Sequence, residues 1–254
     1  MYKILANTFF LGKDIIYLTE CHSTNEEAQD RLRLRTVAEG SIIITDNQTK
    51  GKGQRGNEWF SEKGKNLTFS LVLQPKFLTP SEQFLLNIVI SLSLLDFLSE
   101  YIQDIRIKWP NDIVHITDGK LGGILIENSL SQSAIESSII GIGLNINQRH
   151  FTVPNACSLA QLAGQDFDIW ELLRSLIKHI EKRYIQIKKD DREKLRKEYL
   201  LNMFKFDEWS DFDDKEFFKG KIKGITEEGK LIIEKENGQF QHYAFKEVKF
   251  LFGN

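Results

Sequence analysis

Four short runs, 105–109, 112–116, 121–127 and 137–146, follow one another with little but turn-forming residues between the first three. They are rich in isoleucine, and Pro110-Asn111 and Asp118-Gly119 punctuate the first two joins. A chain patterned this way must fold around a sheet, and neighbours joined by tight turns predict one that is mainly antiparallel or mixed. Further strands are predicted at Ile15–Leu18, Ser41–Asp46 and Leu67–Leu73, the last bounded by Pro75. Helical pieces alternate with them. Ser23 to Glu27 reads as a helix start, with Thr24 and Glu27 at capping-box spacing. Pro80-Ser81 opens a long helix in which Phe84, Leu85, Ile88, Leu92 and Leu95 form a stripe that predicts packing on the sheet. Asp168–Ile187 places Leu172, Leu173, Leu176, Ile180 and Tyr184 on one face, and Arg192–Phe204 reads as a charged surface helix.

Beyond Asp207 the pattern changes to short strands over 216–225, 230–235, 240–245 and 248–252, with hairpin turns at Glu228-Gly229 and Asn237-Gly238. A small β-barrel of about 45 residues fits this spacing. The expected division is therefore 1–206 and 207–254, the two packed together, since no Pro-rich linker intervenes.

The 254 residues carry a net charge of −2, which argues against a chain whose main task is to coat nucleic acid. No apolar run reaches the ~18 residues of a membrane span. The candidate 84–98 contains Asn87 and Asp96, and the first residues lack a secretory pattern. A cytoplasmic protein without DNA or membrane partners is expected. Cys21 and Cys157 lack the spacing of a disulfide framework or zinc site, and five scattered histidines give no metal pattern. Packing thiols are expected.

Chemistry concentrates in four segments. Gln48–Trp59 follows a predicted strand and compresses Gly51, Gly53 and Gly56 with Lys50, Lys52 and Arg55. Glycines let backbone N–H groups approach an anion and the cations supply charge. The segment is neither a P-loop nor a dinucleotide fingerprint, and taken alone it also fits a solvated surface loop. Lys108-Trp109-Pro110-Asn111-Asp112 sets a cation, a carboxamide and a carboxylate around a proline turn, where φ is fixed and the flanking side chains are aimed. Lys120-Leu121-Gly122-Gly123-Ile124 and Gly141-Ile142-Gly143-Leu144-Asn145-Ile146-Asn147 are strands thinned by glycine, which marks close approach of a ligand or another backbone.

Together with Ser23-Thr24-Asn25, these segments closely resemble the biotin protein ligases, the biotin–acetyl-CoA-carboxylase ligase family, in order and spacing. The resemblance implies an α+β fold: a mixed sheet flanked by helices, related to class II aminoacyl-tRNA synthetases, followed by a small SH3-like barrel. It implies ligation of biotin to a lysine of a biotin carboxyl carrier domain through biotinyl-5′-AMP, with biotin and ATP as substrates and Mg²⁺ as cofactor. Under it Lys120, Asp112, Lys52 and Arg55 are the catalytic candidates. Ser23, Thr24, Asn25, Gln48, Lys52, Gly53, Gln54, Lys120, Gly122, Gly123 and Gly143 would hold biotin. Gly51, Lys52, Gln54, Arg55, Gly56, Trp59, Lys108, Asn111, Asp112 and Asn145 would hold the nucleotide, with Trp59 covering adenine. Asp112 is the candidate metal ligand, or else it orients Lys108 or Asn111.

The glycine loop departs from the family's commonest G-R-G-R-x-G-R. Lys52, Gln54 and Asn57 stand where arginines are common, and Lys52 keeps charge without the bidentate fork. Arg55 or Lys50 is expected to supply part of the missing charge. About fourteen residues precede the first predicted strand, too few for a three-helix DNA reader, so the monofunctional type of ligase is expected. A lipoate–protein ligase, which shares the fold, and a non-catalytic biotin or nucleotide sensor are the alternatives.

Overall fold

The computed structural model describes residues 7–189 and 191–251, with all their side chains except that of Arg55. Seven strands form the central sheet: β1 (Ile15–Leu18), β2 (Ile42–Thr45), β3 (Leu67–Leu73), β4 (Ile105–Lys108), β5 (Asp112–His115), β6 (Gly119–Leu130) and β7 (Ile135–Leu144). Their spatial order is β1-β2-β3-β7-β6-β5-β4. β1 and β2 are parallel, joined by the crossover helix α1 (Thr24–Arg33), and the other pairings are antiparallel. The sheet is mixed, as the turn spacing predicts.

On one face α2 (Phe84–Leu98) lies over β4 to β6, with α4 (Ile169–Lys188) and α5 (Arg192–Leu201) packed on it in turn. Burial is unbroken from Leu85 to Leu95, so the expected one-sided stripe is corrected to a helix enclosed all round. Its buried polar residues are satisfied within the helix, where Ser91 Oγ donates to Asn87 Oδ1 at 3.2 Å and Ser93 Oγ to the Val89 carbonyl at 2.7 Å, while Asp96 pairs with Arg183 of α4 at 2.7 Å. With its leading turn, Pro80–Leu98 is long and apolar enough to cross a membrane, but 72% of that window is buried inside the protein. A core helix meets the same compositional test.

Asp168 caps α4, accepting from the N–H groups of Trp170 and Glu171, and the predicted face of α4 is buried. α5 is surface-bound as expected, anchored by Leu195 and Tyr199. Two elements escape the sequence reading: the short α3 (Leu159–Ala163) and β8 (Ser210–Asp213).

β8, β9 (Phe217–Ile225), β10 (Leu231–Lys235), β11 (Phe240–Tyr243) and β12 (Lys249–Leu251) make a second, antiparallel sheet in the order β11-β10-β9-β8-β12. Among the described residues β11 and β12 stand at opposite edges, so the expected closed barrel is an open five-stranded sheet. Phe212, Ile222, Leu231, Ile233 and Tyr243 line its buried side and run into the main core.

The opposite face of the central sheet is only half covered. α1 rests on β2, β3 and β7 over a small apolar cluster of Ala28, Ile43, Val72 and Ile139. Beside α1 the surface of β3, β7 and β6 is left open, and it is there that glycines replace side chains.

Candidate active site

The open half of that face is the floor of a cleft of about 680 Å³, a size suited to a small-molecule ligand. Thr68, Gly143 and Gly123 sit side by side across β3, β7 and β6. A Cβ on Gly143 would lie 2.4 Å from the indole of Trp59, and one on Gly123 would lie 3.3 Å from Lys120 Nζ. The room these glycines leave is thus taken by Trp59. Gly122 belongs elsewhere: neighbours along a strand face opposite sides, and a Cβ there would strike Leu144 at 2.4 Å. The biotin-binding assignment of Gly122 is corrected to close packing beneath the floor.

Lys120 and Asp112 pair at 2.7 Å, and Lys120 Nζ stands 5.5 Å from the Trp59 ring centroid. Lys108 lies opposite Asp112 in the β4–β5 register, with its Nζ 5.7 Å from the Phe250 ring. Burial pushes the Lys108 ammonium below the ordinary lysine value; Asp112 opposes that shift and Lys120 adds to it. Asp112 therefore pairs with Lys120, not with the Lys108 or Asn111 it was expected to orient, and it opposes the Lys108 shift through charge alone. As a metal ligand it stands without help, since no group of three potential metal-binding side chains occurs among the described residues. These residues do not form a protein-built metal cage.

Asn111, Trp109 and Asn145 have structural partners. Asn111 Nδ2 donates to the Ile124 carbonyl at 2.6 Å, tying β5 to β6. Trp109 Nε1 donates to the Gly229 carbonyl at 2.9 Å, which fastens the second sheet beside the cleft. Asn145 does not reach the cleft: its Nδ2 donates to the carbonyls of Cys157 at 3.0 Å and Lys120 at 3.3 Å, behind the floor. The nucleotide-binding assignment of Asn145 is corrected accordingly. Burial, with Asp118 adding to it, pushes the Cys157 thiol up to about 12, as befits a packing residue.

The loop 48–59 is a tight hairpin. Gly53 N–H donates to Asn57 O and Trp59 N–H to Gly51 O, around a single 3₁₀ turn at Gln54–Gly56. Gly53, Gln54 and Trp59 line the cleft. Gly51 and Gly56 instead shape the hairpin: a Cβ on Gly51 would meet the Trp59 carbonyl at 2.2 Å, and Gly56 has φ +83. Lys50 lies on the outer side of the loop, and the side chain of Arg55 is outside the described atoms. Lys52 lines the cleft but leans back to Glu26 of α1 at 2.6 Å, a hydrogen-bonded pairing that raises its pKa. Gln54 Oε1 and Trp59 Nε1 are buried without a protein partner.

Ser23 is the N-cap of α1 yet makes no side-chain capping hydrogen bond, so the box expected from Thr24 and Glu27 is corrected. Thr24 N–H donates instead to Gln48 Oε1 at 2.8 Å. Ser23, Thr24, Asn25 and Gln48 form one polar wall of the cleft.

Sequence reasoning missed the contribution of the second sheet. Phe245, Lys246, Val248, Lys249 and Phe250 close the cleft beside Lys108. Two lysines interleaved with aromatic residues were the available signal.

Residues 17–145 match the Biotin/lipoate A/B protein ligase family, and residues 211–253 match the Biotin protein ligase C terminal domain. The chain is 30% identical over 248 residues to the bifunctional ligase/repressor BirA of Bacillus subtilis, covering 93% of this chain and 74% of that protein. It is 36% identical over 135 residues to the biotin–[acetyl-CoA-carboxylase] ligase of Paracoccus denitrificans, covering 51% and 53% of the two chains. The solved structure of a biotin protein ligase from Aquifex aeolicus in complex with biotin and ATP superposes with a TM-score of 0.76 at 29% identity, over 95% of this chain and 100% of the other. Two family matches in order, with a shared fold, establish that the chain belongs to the biotin/lipoate A/B protein ligase family, among its biotin protein ligases.

Proposed function

We propose that the protein joins biotin to a lysine of a biotin carboxyl carrier domain at the expense of ATP, through biotinyl-5′-AMP. The observation that carries this reading is the convergence of Lys120, Asp112, Lys108 and Lys52 on one glycine-floored cleft. In the first step a biotin carboxylate oxygen bonds to the α-phosphorus and the bond to pyrophosphate breaks. Two anions meet, so fixed cations lower the barrier most where charge accumulates. Lys120, steadied by Asp112, suits the carboxylate and α-phosphate. Lys108, beside the second sheet, suits the polyphosphate, and Lys52 exchanges Glu26 for phosphate.

In the second step the carrier's lysine amine attacks the acyl carbon, AMP departs with the bonding electrons, and the amine releases a proton. Until then the mixed anhydride must be kept from water. The 48–59 hairpin and Trp59 suit that task. Mg²⁺ is expected to arrive with ATP, held by phosphate oxygens and water, where it neutralises charge; the chain itself offers Asp112. We take 1–206 as the biotin- and ATP-binding domain and 207–254 as an SH3-like companion, in a cytoplasmic protein.

The test is a mass measurement after incubating the protein with biotin, ATP, Mg²⁺ and a carrier domain. One added biotin per carrier is expected. Labelling by lipoate in place of biotin would move the protein to the lipoate ligases, and tight biotin binding without labelling would make it a sensor.

A further inference from the structure

The polar wall of the cleft continues beyond it as a chain of side chains that ends on Glu127 of β6. Asn25 Nδ2 donates to Glu127 Oε2 at 2.7 Å. Ser70 Oγ lies 2.6 Å from Asn25 Oδ1 and 2.7 Å from Thr24 Oγ1. Thr24 Oγ1 is in turn 3.1 Å from Gln48 Oε1. Ser70 and Asn25 are buried, and a Cβ at Gly141 would lie 2.4 Å from Asn25 Oδ1, so this carboxamide has no room to swing.

Proton accounting gives the chain a direction. A carboxylate only accepts, so Glu127 holds the NH₂ end of Asn25 toward itself and turns Oδ1 toward Ser70. Ser70 has one proton and must donate it to Oδ1. With that proton on Oδ1 rather than on Thr24 Oγ1, the other acceptor within its reach at 2.7 Å, the Thr24 proton serves Ser70 or Gln48 Oε1 at 3.1 Å, both inside the wall. Thr24 Oγ1 is left with lone pairs alone on the cleft wall. Gln48 Oε1, with two lone pairs, also receives the Thr24 backbone N–H at 2.8 Å. The Leu125 carbonyl is a second acceptor for Asn25, but at 3.4 Å it is beyond a normal hydrogen bond.

We propose that Glu127 and Ser70 are positioning residues for the biotin site: the Glu127 carboxylate orients the Asn25–Ser70–Thr24 chain so that the Thr24 hydroxyl is an obligate acceptor for an N–H of the substrate. The ureido group of biotin supplies such N–H donors. The inference rests on the reading of the cleft as a biotin site. Glu127 is exposed, and neither the cleft lining nor the sequence motifs include it.

The experiment measures biotin affinity by calorimetry, and the KM values for biotin and ATP, in the wild type, Glu127→Ala, Glu127→Gln and Ser70→Ala proteins. Loss of one oriented hydrogen bond predicts a rise in biotin Kd on the order of tenfold for Glu127→Ala and Ser70→Ala. The KM for ATP should move less than the KM for biotin. Glu127→Gln keeps an acceptor for Asn25 and should recover most of the lost affinity, which a merely structural or charge role would not give. Because Ser70 is buried, the exposed Glu127 variants decide the matter if Ser70→Ala fails to fold. Biotin binding by Glu127→Ala equal to wild type, or losses in Glu127→Gln as large as in Glu127→Ala, would overturn the proposal. A wild-type protein that binds no biotin would overturn the site reading as well.

Discussion

Lys108 and Lys120 carry the same formal charge on neighbouring strands, yet their surroundings treat them differently. Lys120 is held by Asp112 at 2.7 Å and remains over a third exposed, whereas Lys108 is desolvated beside Phe250. Replacing Lys120 with alanine leaves Asp112 without its partner and removes the cation best placed on the reacting groups. A fall in carrier labelling of about 100-fold is expected, with folding retained by circular dichroism. An ammonium with a depressed pKa keeps its proton only below that value, so Lys108 loses charge at a pH where a solvated lysine still holds it. In the folded state the charged form is disfavoured at lower pH, and that penalty is relieved as pH climbs toward 10.5. Biotin-dependent pyrophosphate–ATP exchange should therefore decline on an alkaline limb below the ordinary lysine range. Lys108→Arg should move that limb upward, since guanidinium stays charged; an identical limb in both proteins would remove Lys108 from the reaction.

At the scale of elements, the floor depends on which face of a strand each residue takes. Motif spacing identified Lys120-Leu121-Gly122-Gly123-Ile124 as a unit, but alternation sends Gly123 to the cleft and Gly122 to the core. The face could not be read because a strand with glycines on both sides offers no apolar alternation to orient it. The same limit explains β8, where Phe212 is the single apolar residue in Ser210–Asp213, and α2, where apolar residues on every side masked full enclosure. Strand order along the chain, the long helices and the wall at Ser23 to Asn25 were legible, because period and motif both pointed the same way. Gly143→Ala places a methyl 2.4 Å from the Trp59 indole. The hairpin must then shift, and biotin affinity measured by calorimetry should weaken at least tenfold, with little change in melting temperature, since the obstructed side faces the cleft.

Across the whole molecule, the cleft is built from two sheets that meet at the proline turn. Trp109 links them through its N–H to Gly229 and its ring 6.1 Å from Phe245, and the strand-edge segment that follows closes over Lys108. Sequence reading expected two packed units, but not that residues of both line one cleft, because contacts between distant segments leave no local period. Trp109→Phe keeps an aromatic side chain but deletes the donor along with the pyrrole ring, leaving a buried carbonyl unpaired. A loss of about 1–2 kcal/mol is expected, lowering the melting temperature by roughly 2–5 °C; a scanning calorimeter checks it, and the KM for ATP should rise in parallel. The chain has four tryptophans, and their environments differ sharply. Trp109 is buried and hydrogen-bonded, Trp170 packs at 5.6 Å from Tyr17, and Trp209 is about half exposed beside Lys221. Trp59 and Trp109 both line the cleft, and the Trp59 N–H is the one indole donor buried without a partner among the described residues. The molecule thus carries its own optical gauge of occupancy: filling of the cleft can be followed by ultraviolet emission, without a dye, and a Trp59→Phe variant separates the unpartnered indole's share of the change from that of Trp109.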